Sequence, residues 1–305
     1  MGIEANRTKN ADLFFAAIGG YGGLGVIVEA TLNLDTNTPV IRTAKKMDID
    51  QYKNYFFQNI RSSKNAIFHN ADLYPPDYQE VTAITWTQTD QSVTVKERLS
   101  PQDKPSLFQE YLLNWVSDTQ SGKYFREYIY DWYQHLGKVI EWRNYEASYD
   151  VNSIEPSSRE KSTYVLQEYF VPIENFESFV KKMSDILKKN QVNVLNISIR
   201  HALPDLESYL SWAKTEVFSF VIYYKQGVTD VDRQNVRTWT SKLIDAVLEE
   251  GGTYYLPYQI HASHQQFLTA YPRANEFFRL KNQVDPTYKF RNKLFDLYYG
   301  ASSSK

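Results

Sequence analysis

The order in which the hydrophobic period changes between Thr163 and Ile260 restricts this chain more than any other feature. Thr163 to Val171 alternates as a strand and stops at Pro172. Phe176, Phe179, Val180, Met183, Ile186 and Leu187 then recur on one helical face. Val192 to Arg200 and Val217 to Tyr224 read as strands. Thr229 and Asp232 form a capping-box pattern with Asp in place of the usual Glu. Val236, Trp239, Leu243 and Val247 carry that helix to Gly251-Gly252, and Tyr254 to Ile260 reads as a closing strand. The order β-α-β-β-α-β predicts an α+β fold of ferredoxin-like type. Its antiparallel sheet has both helices on one face, and the other face is open to a ligand or another domain.

The preceding sequence is less regular. Val40 to Thr43, Ala66 to Tyr74 and Val81 to Thr87 read as strands, the last two joined by the Pro75-Pro76-Asp77 turn. Ile49 to Ile60, Leu107 to Trp115 and Tyr124 to Leu136 read as helices, and Glu155 to Lys161 as a polar connector. With 305 residues, 42% of them hydrophobic, the chain can bury one large core or two. A net charge of -2 gives no footprint for nucleic acid or an anionic membrane. The absence of cysteine excludes disulfide and thiolate chemistry. No apolar run reaches the roughly 20 residues of a membrane span, and the polar start Met1 to Arg7 is no secretory signal. The expectation is a cytoplasmic protein acting on a small molecule.

Candidate ligand groups fall on the strands. Leu195, Ile197 and Ile199 share one face, while Asn196, Ser198 and Arg200 share the other. A polar row ending in a cation suits a hydroxyl-bearing or anionic ligand. Gln167 and Glu168 are neighbours on the first strand of the unit, so one of them joins that face. His261 and His264 follow the last strand without a third ligand or acidic cluster nearby. No metal site is expected there, and His261 reads as an ordinary loop histidine or as a base or hydrogen-bond donor. Near the start, Leu13 to Ile18 reads as a short helix and Val26 to Leu34 as a half-buried strand. Between them, Gly20-Tyr21-Gly22-Gly23-Leu24-Gly25 matches a dinucleotide fingerprint as a string. It lies between helix and strand in the reverse of the fingerprint's order.

Asp12 to Ile27, including Leu13-Phe14-Phe15-Ala16-Ala17-Ile18-Gly19-Gly20-Tyr21-Gly22-Gly23-Leu24-Gly25, resembles the block that closes the FAD-binding domain of FAD-linked oxidases, the vanillyl-alcohol-oxidase/PCMH-type flavoproteins. A second stretch, Lys281, Asp285-Pro286, Phe290 and Asn292, resembles the K-x-x-x-D-P-x-x-x-F-x-N tail of the same family. Among that family it is similar to sugar, alditol and aldonolactone oxidases and to decaprenylphosphoryl-ribose oxidase. In the last of these a lysine follows a tyrosine by three residues; here Tyr255 matches the tyrosine and Tyr258 stands at the lysine position. Arg200 matches a substrate-binding arginine of the alditol oxidases, whose nearby glutamate falls at Ser198.

The resemblance implies an FAD-dependent oxidoreductase that oxidises an alcohol carbon of a sugar-like or polyol substrate by hydride transfer. It assigns Gly19, Gly20, Gly22, Gly23, Gly25 and Asn292 to the cofactor and Arg200 to the substrate, which Gln167, Glu168, Asn196 and Ser198 of the strands, with Gln259, would also contact. Tyr255, Tyr258 or His261 would assist proton removal, a tyrosine needing a pKa lowered by nearby cation charge. Residues 1–35 would end an FAD-binding domain whose remainder is missing, and 36–305 would form a substrate domain whose tail, 270–300, returns to the flavin. A fragment of this kind would expose apolar surface around Phe14, Phe15 and Tyr21 and self-associate. The alternative is a non-catalytic interaction module that binds a partner through the open sheet face.

Overall fold

A computed structural model describes residues 2–101, 119–131, 136–148 and 158–302. Among them lie eight strands: β1 Pro39–Asp48, β2 Ala66–Leu73, β3 Glu80–Gln88, β4 Ile140–Trp142, β5 Ser162–Pro172, β6 Asn193–Ala202, β7 Val217–Gly227 and β8 Thr253–Tyr254. They form one antiparallel sheet in the order β4-β1-β3-β2-β6-β7-β5-β8. The run β6-β7-β5-β8 is the expected unit, with α5 (Phe176–Lys189) and α6 (Asp230–Glu249) as its two helices. The capping box at Thr229 is formed: its hydroxyl accepts from the Asp232 amide, and the Asp232 carboxylate accepts from the Thr229 amide.

The sheet is twice as wide as the unit alone. β2 pairs with the edge strand β6 through Ala71↔Ile199, Asp72↔Ser198 and Leu73↔Ile197. This gives both edges a partner and makes one continuous face of two halves. The core lies on the helix side. Tyr169, Phe218, Phe220, Ile222, Ile197, Ile199, Ala71 and Leu73 meet Phe176, Phe179 and Met183 of α5 and Leu243 and Val247 of α6 there. α2 (Ile49–Phe56) covers the other half with Tyr52 and Phe56, which pack on Phe218. A bulge between Val194 and Asn196 puts Val194 in the core in place of Leu195.

Two expected strands differ. Val26 to Leu34 has no ladder partner among the described residues, and Val28 and Leu34 are 89% and 90% exposed. Alternation sets a strand's faces but needs a neighbouring strand to take its hydrogen bonds. The closing strand stops at Tyr254 instead of running to Ile260. The Tyr255 amide still donates to the Glu168 carbonyl at 2.9 Å, but Pro257 has no N–H and the chain leaves the edge. The expected Tyr124–Leu136 helix appears as α3 (Gln120–Phe125) continuing through Arg126–Tyr130. α4 (Arg143–Ala147) follows β4. The expected Leu107–Trp115 helix and part of the Glu155–Lys161 connector lie outside the described residues.

Phe220 is fully buried, with ring contacts to Phe176 at 5.6 Å and Phe179 at 5.1 Å. Phe220→Ala is expected to destabilise the fold by about 3–5 kcal/mol. The measurement is a lowered urea midpoint with an unchanged slope.

Candidate active site

The glycine block follows α1 (Ala11–Ala17) and is held by the chain's other end. Lys281, on α8 (Ala274–Val284), is fully buried and donates from Nζ to the Gly23 carbonyl at 2.6 Å, the Phe290 carbonyl at 2.8 Å and Asp285 Oδ2 at 3.0 Å. Asp285 also accepts from the amides of Lys289 and Phe290. Burial opposes its charge, but those amides and Lys281 outweigh it and hold its carboxyl below the usual range. Asn292 donates to the Tyr21 carbonyl at 2.9 Å while its Oδ1 accepts from the Phe295 amide in α9 (Lys293–Ser302). Glycine is required where the block packs tightly. A Cβ at Gly23 would lie 2.4 Å from the Phe295 ring, and one at Gly20 would lie 2.2 Å from the Ala16 carbonyl.

This anchoring sets Tyr21 beside the end of β5. Its ring lies 6.3 Å from that of Tyr255, which lies 5.5 Å from Tyr258 and 5.9 Å from Phe170. Strand pairing supplies the polar groups. Glu168 and Ser198 both stand opposite Val221, so they share the open face, and Arg200 stands opposite Ser219 on that face. Ser219 donates to Glu168 Oε1 at 2.5 Å. Burial raises the Glu168 pKa in spite of that bond and of the nearby Arg200 charge. Glu168, Tyr255, Tyr258 and Gln259 line one small depression. Ser198 and Arg200 line a separate, larger cavity of about 970 Å³.

The structure does not gather every expected residue. Gln167 stands in the row of Ile222, Ile197 and Leu73 on the helix side. Its amide donates to Tyr224 and Thr240, each at 2.9 Å, so although it borders the same depression as Glu168 its amide is already satisfied within the core. Asn196 is on the open face but engaged, accepting from Arg126 at 3.1 Å and donating to Asp72 at 3.2 Å. His261 stands near Arg237 of α6, and burial followed by that cation pulls its pKa down to about 4. Among the described residues no cluster of three metal-ligating side chains forms around it or His264. Tyr258 also differs from expectation. Burial first, then Glu168 and Tyr255, push Tyr258 up to about 12, and the opposing Arg200 charge is too weak to reverse this. Tyr21 is raised as well, by burial and then by Tyr255 and Glu168. Phe14, Phe15 and Tyr21 are half-buried, so the exposed apolar surface lies further on, at Val26, Ile27, Val28, Leu32 and Leu34.

Several groups escaped the sequence reading. Ser219 was signalled only as one polar residue within the apolar run Val217 to Ile222. Arg42, Trp86, Glu141 and Glu146 line the larger cavity from β1, β3, β4 and α4, elements whose pairing with the second half is non-local.

No protein-family model matches the chain, and no curated protein does. Among solved structures, a VAO-type flavoprotein from Myceliophthora thermophila C1, determined at pH 5.0, is similar with a TM-score of 0.54 at 15% sequence identity. The match covers 96% of this chain and 54% of that one, so the chain spans about half the length of that flavoprotein. The likeness is one of fold.

Lys281→Met would leave Asp285 as an uncompensated buried charge and free the Gly23 and Phe290 carbonyls. We expect a loss of about 3–5 kcal/mol in urea unfolding, and the double variant with Asp285→Asn to lose less than the sum of the singles. The Asp285 contribution has a depressed folded pKa. It is present above the unfolded value of about 3.9 and disappears as pH falls through the lower folded one. Asp285→Asn should therefore flatten the acid limb of the stability profile.

Proposed function

We propose that this chain is the substrate side of an FAD-dependent oxidoreductase that oxidises an alcohol carbon of a sugar-like or polyol substrate. The observation that carries the reading is the joining of two parts. The anchored glycine block brings Tyr21 against Tyr255, which lines a small depression with Tyr258 and Glu168, and Arg200, whose charge acts on both of these, lines the separate larger cavity. The residues present fit one wall of a flavin site. Among the described residues the Tyr21 hydroxyl is buried with no hydrogen-bond partner, and a Cβ at Gly22 or Gly25 would meet nothing within 4 Å, leaving backbone open to a flat ring. Gly19, Gly20, Gly22, Gly23 and Gly25 would hold the cofactor, with Asn292 fixing their position.

The chemistry that a bound flavin supplies is hydride acceptance. The chain's own residues handle the proton and the substrate. Glu168 is the better proton acceptor, because burial brings its carboxyl closer to neutral pH. Tyr258 keeps its proton and serves as a hydrogen-bond donor. Arg200 and Ser198 orient hydroxyl groups, and the rings of Tyr21, Tyr255 and Phe170 keep water from the reacting carbon. The partner this reading asks for is the rest of an FAD-binding domain. The exposed Val26, Ile27, Val28, Leu32 and Leu34 offer it a surface, and without it that surface drives self-association.

Titration with FAD tests the cofactor. Flavin emission is expected to fall as the chain is added and to be restored by Tyr21→Ala; unchanged emission sinks the cofactor reading. In flavin-loaded protein, Glu168→Gln is expected to slow polyol-dependent flavin bleaching by about 10²–10⁴-fold. Light scattering checks the surface: oligomers are expected at micromolar concentration, and a monodisperse monomer counts against self-association.

A further inference from the structure

The larger cavity contains an acid pair that the proposed chemistry does not use. Glu141 lies on the short edge strand β4, opposite Val40 of β1. It is only 4% exposed, and its Oε1 is buried with no hydrogen-bond partner among the described residues. Glu146, on α4, faces the same cavity. An unpartnered carboxylate oxygen in a buried wall loses its hydration and gains nothing in exchange. Arg42 of β1 is near both carboxyls and so compensates one charge, and the Trp86 indole donates to Glu146. Among the described residues no second cation stands beside the pair, and the two carboxyls hydrogen-bond each other instead. Burial, followed by the charge of Glu146, raises the Glu141 pKa, so a proton takes the place of the missing cation. A divalent metal needs more oxygen ligands than two carboxyls beside a guanidinium offer. A primary ammonium supplies three N–H donors and one charge, which matches the unfilled acceptor and the uncompensated charge together.

From these observations we propose that Glu141 and Glu146 form an amine subsite, so that the cavity accepts an elongated polyol or sugar whose end remote from the oxidised carbon carries a protonated amine. The inference rests on the cavity being the substrate chamber of the proposed oxidoreductase. β4 and β6 are four steps apart in the sheet, about 19 Å at the usual strand spacing. A ligand that reached from Arg200 to the acid pair would therefore be long, as the volume of about 970 Å³ permits.

The test is calorimetric titration of the full chain at neutral pH with glucamine and with sorbitol, which differ at one terminal group. Glucamine is expected to bind about ten-fold tighter or more, as a charge-assisted hydrogen bond would give. Glu141→Gln and Glu146→Gln should each abolish the preference while leaving sorbitol binding and the thermal melt unchanged. Glu146 is half-buried, so its variant remains informative if Glu141→Gln does not fold. Equal affinities, a preference that survives either substitution, or no glucamine binding overturns the subsite. The FAD titration fails or succeeds separately: lost flavin binding with a retained amine preference sinks the redox reading alone, and the converse sinks the subsite alone.

Discussion

The arrangement of the site depends on one buried ammonium. Lys281 has no exposed surface, and moving such a charge out of water costs several kcal/mol unless its donors are matched. Each of its three N–H groups has an acceptor: a carboxylate on its own helix, a carbonyl of the following turn and a carbonyl of the glycine block 258 residues earlier. The last of these bonds fixes where the start of the chain meets its end. Asn292 adds a second tie one turn away, at the Tyr21 carbonyl. Without them α1 and the glycines would pack on the core only through side chains, and Tyr21 would have no fixed place beside Tyr255. The spacing Lys281, Asp285, Phe290, Asn292 thus has a structural explanation: it encodes a clamp, with the carboxylate orienting the lysine and the asparagine capping the helix that follows.

What was legible in the sequence was local. The alternation and helical faces from Thr163 to Tyr254 gave the β-α-β-β-α-β unit, because each element's period is set by residues a few positions apart. The capping box at Thr229 was readable for the same reason. The pairing of β2 with β6 was not, since an edge strand carries no mark of which distant strand will complete it. The same limit hid which of Gln167 and Glu168 faces the ligand side. Register decided it, and register depends on the β5–β7 ladder as a whole. Asn196 lay on the expected face, but Arg126, 70 residues earlier, had already engaged it. Val26 to Leu34 has a strand's pattern without a strand's partner, so pattern alone overstated it.

The chemistry of the site follows from burial outweighing nearby charge. A single cation beside a tyrosine lowers its pKa only if the phenolate remains partly hydrated. At Tyr258 the ring is half-buried, and the ionisable neighbours include a carboxylate as well as Arg200, so desolvation wins. The same desolvation acts on Glu168 with the opposite consequence for function. Raising a tyrosine moves it further from neutrality, whereas raising a carboxylate moves it closer. Partial burial of both groups in one depression therefore separates the roles proposed for them, giving a donor that holds its proton and an acceptor that can take one. The acid pair at Glu141 and Glu146 extends this logic across the sheet: where burial leaves a carboxylate without a cation, a proton fills the place, and a ligand that brings its own positive charge can displace it.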